Sequence, residues 1–195
     1  VEFNGSSEYL SLAQTTDLEP GTADFTIEAW VKIDSSVSSG YDYIFSNGWS
    51  QQLAAEDGTT FKAWFQATEG GSYVVSLIGG IEDAYTVNNW YHVAVVRNGS
   101  KFTLYVNGQG GDSVTYSGAV ADTASDLPTI GVFNGSSNPN YYMQGHISNF
   151  RYVKGRALYT SNFLPPTEAL TNVTNTTLLC CQSTSSTTAA AVTPG

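Results

Sequence analysis

NWYHVAVVRNGSKFTLYVNG, residues 89–108, writes a β-hairpin followed by a second turn. Along WYHVAVVR, Trp90, His92, Ala94 and Val96 fall on one face of an extended chain, and Tyr91, Val93, Val95 and Arg97 on the other. That is the period of a strand. Asn98-Gly99-Ser100 accepts the positive φ angles of a tight reversal, after which Phe102, Leu104 and Val106 alternate with Thr103, Tyr105 and Asn107 up to the next Asn107-Gly108. Both strands carry apolar residues on both faces, so they belong inside a sandwich.

The rest of the chain reads the same way. Its 195 residues, 41% hydrophobic and 13% aromatic, suffice for one large core. Nineteen glycines argue against helices, because glycine weakens helix interiors and supplies turns. Strands are expected near residues 8–12, 24–33, 42–46, 51–55, 60–67, 73–78, 90–97, 101–107, 113–116, 128–133, 142–153 and 176–181, about a dozen at the spacing of an all-β sandwich. Between Ile147 and Phe150 the apolar positions switch parity, which requires an extra residue and predicts a β-bulge at Ser148-Asn149. Residues 155–159 are expected to make one short helical turn before Pro165-Pro166 stops regular structure. Trp30 and Trp90, in the most strongly patterned strands, are assigned to the core.

Seven lysines and arginines against seventeen acids give a formal charge of −10, so this surface repels a phosphate backbone and excludes nucleic acid as a partner. No apolar run approaches the roughly 18 residues of a membrane span, and no insertion in a membrane is expected. The chain begins without methionine, in VEFNGSSEYLSL, and residues 182–195 (QSTSSTTAAAVTPG) are Ser/Thr/Ala-rich. These features read as a piece of a longer polypeptide, with a domain over 1–181 and a linker, or the start of a further module, over 182–195.

The order of residues in the 89–108 hairpin also resembles the middle of laminin-G-like, concanavalin A-type lectin domains. DFTIEAWVKI (24–33) and QGHISNFRYVKGRALY (144–159) resemble that family's early strand and closing segment. The likeness spans residues 1 to 181 and is weakest between Ser35 and Tyr85. It implies an all-β, two-sheet antiparallel jelly roll. Relatives often carry an acid after the G-x-I of the closing segment; this chain has Ser148. The run from Ser148 to Gln182 further resembles modules of marine bacteriophage virion proteins, which recur with Ser/Thr-rich spacers. That likeness implies a displayed adhesion or decoration module at a virion surface or elsewhere outside the cell.

Catalytic residues are hard to place. His92 and His146 sit mid-strand among aromatic and β-branched neighbours, which predicts packing and a local hydrogen bond. Sandwich-fold glycosidases need two carboxylates facing one another across the sugar, about 5–9 Å apart. Here Glu56-Asp57 and Glu82-Asp83 are adjacent pairs beside turns, and adjacent side chains on a strand diverge. No nucleophile elbow, phosphate loop or H-E-x-x-H occurs, so no enzyme activity is expected. Cys180 and Cys181 are read as two small buried or half-buried thiols, with an intermolecular disulfide or vicinal redox pair as the functional alternative.

Sugar binding asks for flat aromatics beside short polar groups, since a pyranose presents an apolar face edged with hydroxyls. The segment from Tyr41 to Tyr73 is rich in both. In FKAWFQA, Phe61, Ala63 and Phe65 face the core, leaving Trp64 and Gln66 opposite. Asn47, Trp49, Trp64, Gln66 and Tyr73 are therefore the predicted contacts to a polysaccharide or other surface glycan. The alternative from a different class is a structural module that packs on copies of itself or on other virion or surface proteins. No resident cofactor is required. Calcium, held by many relatives, has Asp17, Glu19, Asp24, Asp122 and Asp126 as its candidate ligands. Five N-x-S/T triplets are present, and the three that read N-G-S are also simply turn sequence.

Overall fold

The computed structural model describes residues 1–34, 40–56, 61–79, 86–121, 126–135 and 139–195. Among them, fourteen strands form two antiparallel sheets. They are β1 (Glu2–Asn4), β2 (Leu10–Ser11), β3 (Phe25–Ile33), β4 (Tyr41–Asn47), β5 (Gln51–Glu56), β6 (Lys62–Glu69) and β7 (Ser72–Gly79). The second half adds β8 (Tyr91–Asn98), β9 (Lys101–Val106), β10 (Gln109–Thr115), β11 (Pro128–Ile130), β12 (Gln144–Lys154), β13 (Thr176–Cys180) and β14 (Ala190–Val192). The first sheet runs β10-β9-β8-β3-β12-β13-β14, with β1 also on β12; the second runs β2-β11-β4-β5-β6-β7. This is the all-β sandwich that the alternation predicts, in the two-sheet antiparallel jelly-roll form that the family resemblance implies.

The hairpin of residues 89–108 becomes β8 and β9, with Val95 opposite Leu104 on one side and Ile27 of β3 on the other. Its inward set, Val93, Val95, Phe102 and Leu104, is fully buried in the core between the sheets. Aromatic rings fill that core: Phe25 lies 6.3 Å from Phe65 and 6.2 Å from Tyr152, and Phe45 lies 5.4 Å from Phe150. The bulge falls where parity predicts it. Pairing of β12 with β3 slips between Ser148 and Arg151, and Asn149 takes φ 55°. Ile147 before the slip and Phe150 and Tyr152 after it all reach the core, while Arg151 is set opposite Glu28 on the outer face.

Residues 155–175 cover that outer face. Ala157, Tyr159 and Phe163 pack on Ala94, Val96 and Tyr105, and the rings of Tyr159 and Phe163 stack 3.6 Å apart. Beneath them Glu28, fully buried, accepts hydrogen bonds from Arg151 Nε at 2.9 Å, His92 Nε2 at 3.0 Å and the Tyr159 hydroxyl at 2.9 Å. His92 thus has the packing and hydrogen-bonding role read from its position.

Several expectations are corrected. Residues 155–159 form no helical turn; they run irregularly, with Ala157 and Tyr159 packed on the sheet below. Trp90 is not core: it precedes β8 and is 44% exposed. Trp30 lies half-buried on the outer face beside His92, at 5.5 Å. Residues 182–195, read as a linker or the start of a further module, carry β14, which pairs with β13, and Gly195 N donates to Asp17 Oδ2 at 2.9 Å. The short run Ala189-Ala190-Ala191-Val192 in a polar tail suffices for an edge strand, which needs no alternating pattern when only one side pairs.

Candidate functional site

The outer faces of the two sheets differ. The first is partly roofed, Ala157, Tyr159 and Phe163 covering Ala94, Val96 and Tyr105 while Trp90 stays exposed beside His146; the second carries an aromatic cluster of its own. On β6 the alternation that sends Ala63, Phe65 and Ala67 inward leaves Lys62, Trp64, Gln66 and Thr68 outward. Register then places Ala54 of β5 and Ile78 of β7 beside Trp64, and Ser76 beside Gln66. Ala54 is small, so Tyr43 of β4 reaches over it to Trp64, ring centroids 6.2 Å apart and nearly perpendicular at 77°. Tyr41 lies on Trp64 at 5.0 Å. Phe133, from the segment after β11, packs on Tyr43 at 5.0 Å and on Trp49 at 4.8 Å, and Tyr141 joins Tyr43 at 6.0 Å.

The predicted contacts separate on this geometry. Trp49, Trp64, Gln66 and Tyr73 belong to this outer face, but their exposure differs: Trp64 is 8% exposed, covered by Tyr41 and Tyr43, whereas Tyr73 is 53% exposed. Trp64 is thus the floor of the cluster rather than a free platform. Asn47 does not belong to it. Its amide donates to the Leu18 carbonyl at 3.2 Å, alongside Gln51, which donates to the same oxygen at 2.8 Å. Both side chains anchor the short 3-10 turn Thr16–Leu18 at the sandwich edge. Sequence reading did not assign Phe133 and Tyr141 to the cluster, because only the long excursion from β11 to β12 brings them here. The signal available was aromatics flanking a turn-rich run, Phe133 through Tyr142.

Burial pushes the Tyr43 phenol well above its ordinary value and raises that of Tyr41, where the Glu56 charge adds to the effect. Both hydroxyls therefore stay protonated at neutral pH. Tyr43 donates to Gln52 Oε1 at 3.1 Å, and Gln66 donates to Ser76 Oγ at 3.3 Å. The face offers hydroxyls and amides beside ring surface, and its rim carboxylate, Glu56, is paired with Lys62 at 3.8 Å. Asp57, Glu82 and Asp83 lie outside the described residues.

The acids named for calcium are not brought together. Asp17 accepts from the Gly195 amide, Asp24 accepts from the Gly99 amide at 2.6 Å, and Asp126 is buried against Gly48. Glu19 ends the 3-10 turn, and Asp122 lies outside the described residues. Among the described residues no three His, Cys, Asp or Glu side chains converge on a point that would hold a metal ion.

Fold and face together define an all-β sandwich of the lectin type in architecture. Residues 4–160 match the family Laminin_G_3, described as the concanavalin A-like lectin/glucanases superfamily, and the chain belongs to that family. A comparison with curated proteins finds no match. Among solved structures, a putative carbohydrate binding protein from Bacteroides ovatus superposes with TM-score 0.60 at 18% identity, over 91% of this chain and 49% of that one. This chain thus spans about half the length of that relative. Domain 4 of AbnA, an extracellular arabinanase of Geobacillus stearothermophilus solved with arabinotriose, gives 0.55 at 17% identity over 82% and 72%. Mouse laminin alpha1 domains LG4-5 give 0.52 at 16% over 86% and 46%. At these identities the likeness is one of fold.

Proposed function

We propose that this domain is a non-catalytic glycan-binding module of a larger virion or extracellular surface protein. One observation carries the reading: the outer face of the second sheet presents Tyr73, Tyr141, Trp49 and Gln66 around a buried aromatic floor, whereas on the first sheet's outer face the chain's own Ala157, Tyr159 and Phe163 cover Ala94, Val96 and Tyr105 and leave Trp90 and Trp30 toward one end. Aromatic and amide groups with little charge suit a neutral polysaccharide. Similarity of fold to a putative carbohydrate binding protein and to an arabinotriose-bound domain supports the ligand class. The virion setting rests on the resemblance of residues 148–182 to phage modules.

Stacking one sugar ring on one aromatic contributes on the order of 1 kcal/mol, so a single module binds weakly. Many copies on one particle raise the effective concentration and turn weak contacts into adhesion. The test is a glycan array probed with a multimerised domain and with its Tyr73→Ala and Tyr141→Ala variants. Loss of signal in both supports the site; equal signals remove those residues from it. A second reading draws on Tyr73 and Ile78, both exposed on β7 at the edge of its sheet, where a neighbouring copy would pack. Absence of binding to any envelope polysaccharide, together with self-association lost in Ile78→Lys, favours it.

A further inference from the structure

We infer that Cys180 and Cys181 form a reversible redox site, a vicinal dithiol that closes to an intrachain disulfide when a low-molecular-weight disulfide is supplied and reopens in excess thiol. Neighbouring side chains in a regular strand point to opposite faces, and two adjacent thiols would then diverge. Here they do not. Cys181 leaves β13 at φ 61°, a conformation uncommon for any residue but glycine and asparagine. The turn carries its side chain to the same side as that of Cys180, and the sulfurs stand 3.7 Å apart, both within the main core cluster.

The β12 bulge holds this arrangement in place. Phe150 pairs with Cys180, and the Asn149 amide donates to the Cys181 carbonyl at 3.1 Å. Access comes from the other side. Cys180 lines a groove of about 300 Å³ with Leu10, Leu12, Ile130, Leu178 and Ala190, between the edges of the two sheets. One arm of a small disulfide can enter such a space while the other stays in solvent.

The chemistry balances without metal or oxygen. One cysteine, as thiolate, attacks a sulfur of the small disulfide and expels one thiolate, leaving a mixed disulfide on the protein. The neighbouring thiolate then displaces the second small thiolate and closes the ring. Two protein thiols lose two electrons and two protons, and the small disulfide is reduced to two thiols. Adjacent Cα atoms lie about 3.8 Å apart, short of the roughly 4.4–6.8 Å usual across a disulfide. The closed form is therefore strained, and strained disulfides are the readily reduced ones. This site works as a switch rather than a staple.

The experiment incubates the full chain in glutathione mixtures of rising oxidised fraction, quenches with acid, alkylates in denaturant and digests with trypsin. Cleavage after Arg156 yields one peptide, Ala157 to Gly195, that contains the chain's two cysteines. The expected result is loss of two hydrogen masses and of both alkylation sites from that peptide, without a glutathione adduct or a dimer, reversed by excess reduced glutathione. The folded chain is expected to close at a lower oxidised fraction than the chain in urea. A lasting adduct, a disulfide-linked dimer, thiols alkylated at every ratio, or identical closure when unfolded would each overturn the inference.

Discussion

Replacing Glu28 with glutamine removes one charge from a buried cluster beneath the 155–175 segment. In the native fold this carboxylate accepts from Arg151, His92 and Tyr159 at once. Glutamine offers one acceptor oxygen and an amide that only donates, so the bonds from Arg151, His92 and Tyr159 cannot all be kept as they are. Arg151, 5% exposed, loses its counter-charge. Breaking a buried pair by removing one partner costs about 3–5 kcal/mol. We expect the lower end, about 3 kcal/mol, because Arg151 also donates to the Thr171 carbonyl at 2.9 Å and keeps that bond. Domains of this kind are stable by roughly 5–15 kcal/mol, so the variant folds but is fragile. At a urea m-value of roughly 2–3 kcal/mol/M, the unfolding midpoint falls by about 1–1.5 M. Tryptophan fluorescence and circular dichroism on the same urea series measure it, with m unchanged. Adding Arg151→Met should recover part of the loss, since the orphaned charge is then gone. A midpoint shift under about 0.3 M, or a double variant no more stable than the single one, would refute the reasoning.

Further outcomes are expected. Burial alone would raise the Glu28 pKa, but the His92 hydrogen bond and the Arg151 charge outweigh it and hold it below the ordinary carboxylate value. The stability this adds is complete above the unfolded value of about 4.3 and is lost as pH falls through the folded one; the Tm difference between wild type and Glu28→Gln should therefore narrow in acid, and a constant difference down to about pH 2 would contradict the assignment. Val95→Asp places a charge at a fully buried position between Ile27 and Leu104 and should abolish cooperative folding, read as loss of the thermal transition. Gly108→Ala adds a Cβ that overlaps the Phe163 carbonyl at a residue with φ 74°, so it should cost about 2 kcal/mol or more, measured by urea midpoint. Trp64→Ala should lose about 3–5 kcal/mol from the cavity left under Tyr41 and Tyr43, whereas Tyr73→Ala should leave the stability within about 0.5 kcal/mol of wild type, both read from urea unfolding.

The sandwich was legible because its information is local. A period of two in residues 89–106, glycines and asparagines between the runs, and a parity switch at Ser148-Asn149 specify strands, turns and a bulge without reference to anything distant. The same alternation placed Trp64 and Gln66 on the outer face correctly. What lay across the face was not local. Ala54 lets Tyr43 reach Trp64, and Phe133 and Tyr141 arrive from more than sixty residues away, so a side chain that the pattern sends outward is covered by rings the pattern cannot see. Asn47 shows the converse, since its amide is claimed by the Leu18 carbonyl from another part of the chain. Glu28 and Arg151 read as an acid and a base in two strands; only the bulge in β12 sets them opposite one another. Strand periodicity decides which face a residue takes, because it follows from the geometry of the extended backbone. Exposure, pairing and the contact of two neighbouring thiols depend on which distant segments share that face, and only the tertiary structure decides them.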